Sequence, residues 1–209
     1  MISYYFHTIR YLKLKQIYHR IWFHLSSPKI NTLSILNLRK SKNQFLQPIK
    51  KNQSLLDKDT FYFLNKSESL SKIRSGGDKL LISKLWLYNL HYFDDLNAHR
   101  SYERKAWHYE LLENWIKENK IGSGIAWDPY PTSLRIVNWI KWYFLGNTFS
   151  KNCIHSLVCQ ARWLSKRIEW HILGNHLFAN AKALVFAGLF FSSKESEKWL
   201  NKGIKIICD

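Results

Sequence analysis

The sequence predicts an all-α fold of antiparallel helical hairpins, led in by a short irregular and β-prone N-terminal segment, and three observations carry this. Apolar residues recur at helical spacing through most of residues 101–207. Chain breakers are few, 8 Gly and 4 Pro in 209 residues. No strand–helix–strand rhythm occurs, so the helices must bury their apolar faces against one another. Hydrophobic residues at 46% and aromatics at 16% supply a sizeable core and exclude disorder.

Three stretches follow in order. Residues 1–25, "MISYYFHTIRYLKLKQIYHRIWFHL", read as an amphipathic helix, with Tyr5, Ile9, Leu12, Gln16, His19 and Phe23 on one face and Arg10, Lys13 and Arg20 on others. That stripe is interrupted, which favours docking onto the same chain over lying on an anionic membrane. Residues 26–79 are rich in Ser, Asn and Lys, with Pro28, Pro48 and Gly76-Gly77 as breakers, and read as loops with short pieces such as "FYFL". Residues 80–209 hold the main helical unit. "LLISKLWLYNLHYFDDL" begins as a short strand or extended segment and continues as a turn or helix. Helices are expected at 101–119, 132–146, 150–173, 175–191 and 194–207. Thr132 or Ser133 is expected to cap the second, Gly174 to end the third in a left-handed turn, and Asn175 to cap the fourth.

The net charge is +17, unevenly spread: residues 1–80 carry 15 Lys/Arg against 4 Asp/Glu, the remainder 17 against 11. Such a surplus suits an anionic partner without naming it. Three cysteines without C-x-x-C spacing indicate neither a disulfide framework nor a zinc knuckle. The longest apolar run, Ala183 to Phe191, is too short to span a membrane, and no transmembrane segment is predicted. Phosphate-loop, dinucleotide, zinc-protease and serine-hydrolase motifs are absent, so those classes are disfavoured. Neither a metal site nor a cofactor is predicted; a His171/His176 metal pair is weak because Gly174 turns the chain between them.

Two constellations bear chemistry. In "EWHILGNHLFANAKALVFAGLFF", Asn175 and His176 stand at the start of an apolar helix, where unpaired N–H groups and the positive dipole end favour an anion such as a carboxylate. Capping alone also accounts for that Asn. In "GIAWDPYPTSLRIVNWIKWY", Arg135, Asn138 and Trp142 share a helix face beside Trp127 and Tyr130, a set that suits a sugar chain: indoles stack on pyranose faces while polar groups hold hydroxyls. A buried Arg paired with an acid explains the same face equally well, and stacked nucleobases fit it too. "LYNLHYFDDL" adds Asn89, His91, Asp94 and Asp95; the adjacent acids read as cap or salt-bridge residues.

Together "KLWLYNLHYFDDL", "GIAWDPYPTSLRIVNWIKW", "SLVCQARWLSKRIEWHILGNHLFANAKALVFAGLFF" and "KWLNKGIKII" resemble, in that order, the N-terminal helical, alginate lyase-like domain of the heparinase II/III-like polysaccharide lyases. The resemblance runs from about Leu80 to the C-terminus. It implies a partial (α/α) toroid, followed in the family by a β-sandwich. It also implies β-elimination on a uronate-containing polysaccharide, with Asn175 neutralising the substrate carboxylate and His176 beside it as the catalytic pair. Trp127, Tyr130, Arg135, Asn138, Trp142 and His91 are then the expected substrate-binding residues. The family's Tyr base or acid, a further His and the β-sandwich lie in later segments, beyond Asp209. Neither Tyr130 nor Tyr143 occupies that Tyr motif. The expectation is therefore the N-terminal part of a lyase, inactive alone, with an acidic polysaccharide and the missing C-terminal half as partners. Nucleic acid is not expected. The alternatives are a non-catalytic acidic-glycan binding or scaffold protein and a basic binder of nucleic acid or membrane surface. Without an apolar export segment the chain reads as cytoplasmic, whereas relatives with export signals are periplasmic, leaving the compartment open.

Overall fold

The computed structural model describes residues 12–40, 49–74 and 82–209; Tyr5, Ile9 and Arg10 of the expected N-terminal helix, Pro48 and the Gly76-Gly77 breaker lie outside them. Among the described residues the elements are α1 (Leu14–Leu25), β1 (Asn37–Leu38), β2 (Thr60–Phe63), β3 (Lys66–Ser69), α2 (Leu70–Arg74), α3 (Lys84–Tyr92), α4 (Lys105–Glu118), α5 (Pro129–Phe144), α6 (Lys151–Lys166), α7 (Gly174–Phe190), β4 (Phe191–Ser192) and α8 (Lys194–Cys208). The fold is all-α, and the four strands among the described residues form two two-stranded pairs.

α5 is the centre. It packs on α3, α6 and α7 and buries residues on every side, among them Ile136, Trp139, Ile140 and Trp142. A helix surrounded in this way needs apolar residues all round, and each fully buried aliphatic or Phe side chain contributes about 1.5–3 kcal/mol. α7 and α8 form the tightest pair. A Cβ on Gly188 would stand 2.6 Å from Leu200 Cβ, and one on Gly203 2.7 Å from the Ala181 carbonyl oxygen. One set of numbers rises as the other falls, so the two helices run antiparallel.

Three expected boundaries are corrected. α5 starts at Pro129 rather than 132, because Pro lacks an N–H that the first turn would leave unpaired and its φ already suits a helix. Thr132 and Ser133 are thus inside the helix and do not cap it; Ser133 Oγ instead donates back to the Pro129 carbonyl at 2.8 Å. α6 ends at Lys166, and residues 167–173 form an irregular turn instead of finishing a helix to 173. The residue preceding α7 is Leu173, and Asn175 is exposed within the first turn with no side-chain capping bond. The aromatic run before α4 is a helix from Lys84, because Ser83 Oγ accepts the Trp86 N–H at 3.1 Å and caps it.

The N-terminal region is strapped to the helical body through its main chain. Arg167 donates to the Phe23 and Ser26 carbonyls at 2.6 and 2.7 Å, Lys166 to Lys29 at 2.7 Å, and Arg162 to Asn31 and Ser34 at 2.9 and 2.8 Å. The His155 ring meets the Thr32 carbonyl at 2.5 Å. β1 then pairs antiparallel with β4, Leu38 opposite Phe191. A second, smaller core of Leu55, Phe61 and Trp86 lies under the β2–β3 hairpin, whose turn residues Leu64 and Asn65 both have positive φ, as a tight hairpin turn demands.

Candidate active site

The turn between α6 and α7 presents the polar residues. Glu169 is buried, and its main-chain N–H donates to Asn180 Oδ1 at 2.8 Å. Asn180, fully buried one helical turn beyond His176, returns its amide N–H groups to Glu169 Oε2 at 3.1 Å and to Ser133 Oγ at 3.0 Å. One carboxylate oxygen is thereby fixed, and the other, Oε1, lies 3.0 Å from His176 Nδ1. A carboxylate facing Nδ1 fixes the orientation of the imidazole ring. Burial pushes the Glu169 carboxyl above its ordinary range, while the His176 ring and the Asn180 amide pull the other way. The His176 side chain is one-third exposed (33%), so solvent or a ligand reaches it.

The turn is strained. Leu173 sits at φ 63°, ψ −159°, a region that favours glycine and costs about 1–3 kcal/mol for other residues. Gly174 follows at φ 51° without penalty. These two residues reverse the chain so that Asn175 and His176 open α7, where first-turn N–H groups lack helical acceptors.

Aromatic rings complete the site. The Tyr130 ring lies 4.3 Å from the His176 ring, tilted by 33°, and Tyr92 meets Tyr130 edge-on at 6.0 Å. Tyr88 donates its O–H to Asp128 Oδ2 at 2.5 Å, and Lys84 Nζ approaches the same oxygen at 3.3 Å. Burial raises the Tyr88 and Tyr92 hydroxyls, aided at Tyr88 by the Asp128 bond, so both remain protonated at neutral pH. Across the 122–129 loop lies a cavity of about 380 Å³ lined by Phe23, Gly124, Trp127, Asp128, Trp163 and Arg167.

The expected substrate-binding residues divide. Tyr130 belongs to the site. Arg135, Trp142, Asn138, His91 and Trp127 are 0%, 2%, 6%, 8% and 2% exposed, so the anticipated sugar-stacking face on α5 is instead a buried polar seam. Arg135 is a buried Arg, yet its partners are not acids: it donates to the Ala126 and His91 carbonyls at 2.8 and 3.3 Å, to Gln160 Oε1 at 3.0 Å and to Thr132 Oγ1 at 3.2 Å. Its guanidinium lies 4.0 Å from the Trp115 ring centre, and burial lowers its pKa well below the usual value. Asn138 donates to the Tyr92 carbonyl at 2.9 Å, holding one of the site's tyrosines. Trp142 packs against Tyr109. Trp127 closes one wall of the cavity. His91 accepts the Trp115 indole N–H on Nδ1 at 3.2 Å, and burial followed by Arg135 lowers its pKa to about 3, so the ring is neutral.

Sequence reasoning did not assign Glu169, Asn180, Tyr88 or Asp128 to this candidate site. The signal was present: His176 and Asn180 stand at i and i+4 on a helix whose other polar side chains are Asn175 and Lys182, and such a spacing lets both face one partner. Asp95 is the salt-bridge residue its neighbours suggested, bonded to Arg104 at 2.9 Å and to His108 at 2.8 Å away from this site.

Fold and site define a helical domain carrying a carboxylate-oriented histidine beside an aromatic wall. Residues 89–209, more than half of the chain, match the family described as Heparinase II/III N-terminus, and the chain belongs to that family. No curated protein and no solved structure matches it.

Proposed function

We propose that the chain is the N-terminal helical part, a partial (α/α) toroid, of a lyase that cleaves a uronate-containing acidic polysaccharide by β-elimination. The observation that carries this reading is the Glu169–His176 pair at the head of α7, with Asn175 exposed beside it. In β-elimination a base takes the C5 proton of the uronate, the C4–O bond breaks, a 4,5 double bond forms and the departing oxygen receives a proton. The C5 carbanion is tolerable only when the adjoining carboxylate is neutralised. The Asn175 amide and the first-turn N–H groups of α7 supply fixed donors for that carboxylate. His176, held through Nδ1, exchanges a proton at Nε2. Tyr130, stacked on His176, offers a face for the adjoining sugar ring. Asn138 holds the main chain of Tyr92, which meets Tyr130 edge-on, and Trp127 walls the adjoining cavity.

The test incubates the chain with alginate, heparan sulfate, chondroitin and hyaluronan, following unsaturated uronate by its ultraviolet absorbance and retention by affinity electrophoresis. The reading expects uronate-dependent retention that Asn175→Ala abolishes, and unsaturated product wherever turnover occurs. Retention without product in any active assembly, unaffected by Asn175→Ala, favours a non-catalytic glycan binder. Neither retention nor product on any uronate polymer sinks the proposal.

A further inference from the structure

Helix α1 is docked the wrong way round for a soluble protein. Leu14, Tyr18, Ile21, Trp22 and Leu25 stand at i, i+4, i+7, i+8 and i+11, a single continuous apolar face. They are 85%, 63%, 57%, 58% and 79% exposed. The opposite face makes the contacts with the body: His19 stacks on Trp170 at 5.9 Å, Phe23 on His171 at 4.4 Å, and Gln16 donates to the His171 carbonyl at 3.4 Å. The Arg167 guanidinium lies 3.6 Å from the Phe23 ring centre while bonding the carbonyls at the helix end. The docked face is therefore the polar and aromatic one, and the greasy face points away from the protein. Helices normally bury that stripe.

The charge around the stripe selects its partner. α1 contains no Asp or Glu; Lys15 stands beside the stripe with its Nζ 4.4 Å from the Trp170 ring centre, Arg20 lies toward the docked side, Lys13 precedes the helix, and the first acid of the chain is Asp57, after ten Lys and Arg. An apolar face with Trp and Tyr among its members, bordered by cations, suits the boundary between headgroups and acyl chains.

We infer that α1 is a peripheral membrane-docking surface that seats this domain on an anionic lipid bilayer, its apolar stripe in the interface and its cations at the headgroups. The aliphatic members Leu14, Ile21 and Leu25 have no counterpart on a polysaccharide, and the stripe lies outside the residues that carry the proposed lyase function, so this inference stands apart from it.

The test is co-sedimentation of the full chain with vesicles of phosphatidylcholine alone or mixed with phosphatidylglycerol. Binding is expected to require phosphatidylglycerol, to fall at least about tenfold in Ile21→Ser/Trp22→Ser, and to fall about fivefold for each cation removed in Lys13→Gln/Arg20→Gln. All four positions are exposed, so circular dichroism should be unchanged. Equal binding to both vesicles, or undiminished binding of the apolar variant, overturns the inference. So does a concentration-dependent dimer that the apolar variant dissolves, because the stripe then belongs to a second copy of the chain.

Discussion

Glu169 Oε1 lies 3.0 Å from His176 Nδ1, and the two residues belong to opposite ends of one strained turn. Asn180 grips Glu169 from both its main chain and its side chain, so the carboxylate cannot follow the imidazole if it swings. Removing the charge should release the ring without moving the donors at the head of α7. For an assembly that turns over a polyuronate, Glu169→Gln is expected to lower kcat about a hundredfold and leave KM within twofold, checked by initial rates of unsaturated uronate formation.

Leu173 tests the strain at that turn. Leu173→Gly relaxes a conformation costing about 1–3 kcal/mol, against a glycine entropy cost of about 0.5–1 kcal/mol and some lost packing. The expected net effect is a loss of no more than about 1 kcal/mol, whereas Leu157→Ala, at a fully buried position, should cost about 2–5 kcal/mol. Urea denaturation of the two variants makes the comparison.

Arg135 fills four acceptors from a site closed to water. Lysine has neither the planar fork nor the reach to satisfy them together. Arg135→Lys is expected to cost about 2–4 kcal/mol, read as a lower denaturation midpoint.

Asp95 sets part of the acid limit. It accepts the main-chain N–H groups of Ser54 and Leu55 at 2.7 and 3.0 Å along with Arg104 and His108. Against the opposing cost of burial, these bonds hold its pKa at about 2, below the usual 3.8. A depressed carboxylate contributes stability above its unfolded pKa and loses it as pH falls through the folded one. About 2 kcal/mol should therefore vanish between about pH 4 and pH 2. Asp95→Asn should cost about 3–5 kcal/mol at pH 7, because Arg104 is left buried without its anion. Denaturation of both proteins along a pH series checks this.

Gly188 has no room for a side chain, because an added Cβ meets the Leu200 backbone at 2.7 Å. Gly188→Ala should push α8 from α7 and cost about 1–3 kcal/mol, visible as a lower thermal midpoint.

Helices with regular apolar spacing and a good cap were legible: α8, expected at 194–207 and found at Lys194–Cys208, has the Ser193 hydroxyl accepting the Ser196 N–H. Boundaries failed where tertiary bonds outweighed local preference. The periodic pattern past Lys166 continues through Ile168 and Trp170, yet Arg167 is committed to the N-terminal strap and Glu169 to Asn180, which ends the helix early. Asn175 has the chemistry of a cap, but the reversal at Leu173-Gly174 places it one step inside the helix. On α5, residue types announced a polar face and left its direction open between solvent and core. Spacing tells which residues share a face, and only packing tells whether that face meets water. The neighbourhood of His176 depends on Tyr130 and Ser133, 46 and 43 positions earlier, which no local pattern connects.

The strap across α6 has an evolutionary corollary. Arg162, Lys166, Arg167 and His155 address carbonyl oxygens between Phe23 and Ser34, and every amino acid carries one. Substitutions along that stretch leave the six attachments standing, so its spelling can drift wherever the side chain is not also engaged, as those of Phe23 and Ser34 are. Its length cannot: gaining or losing one residue would slide the carbonyls out of phase with their donors. The segment behaves as a ruler whose markings can be rewritten but whose graduations cannot be moved.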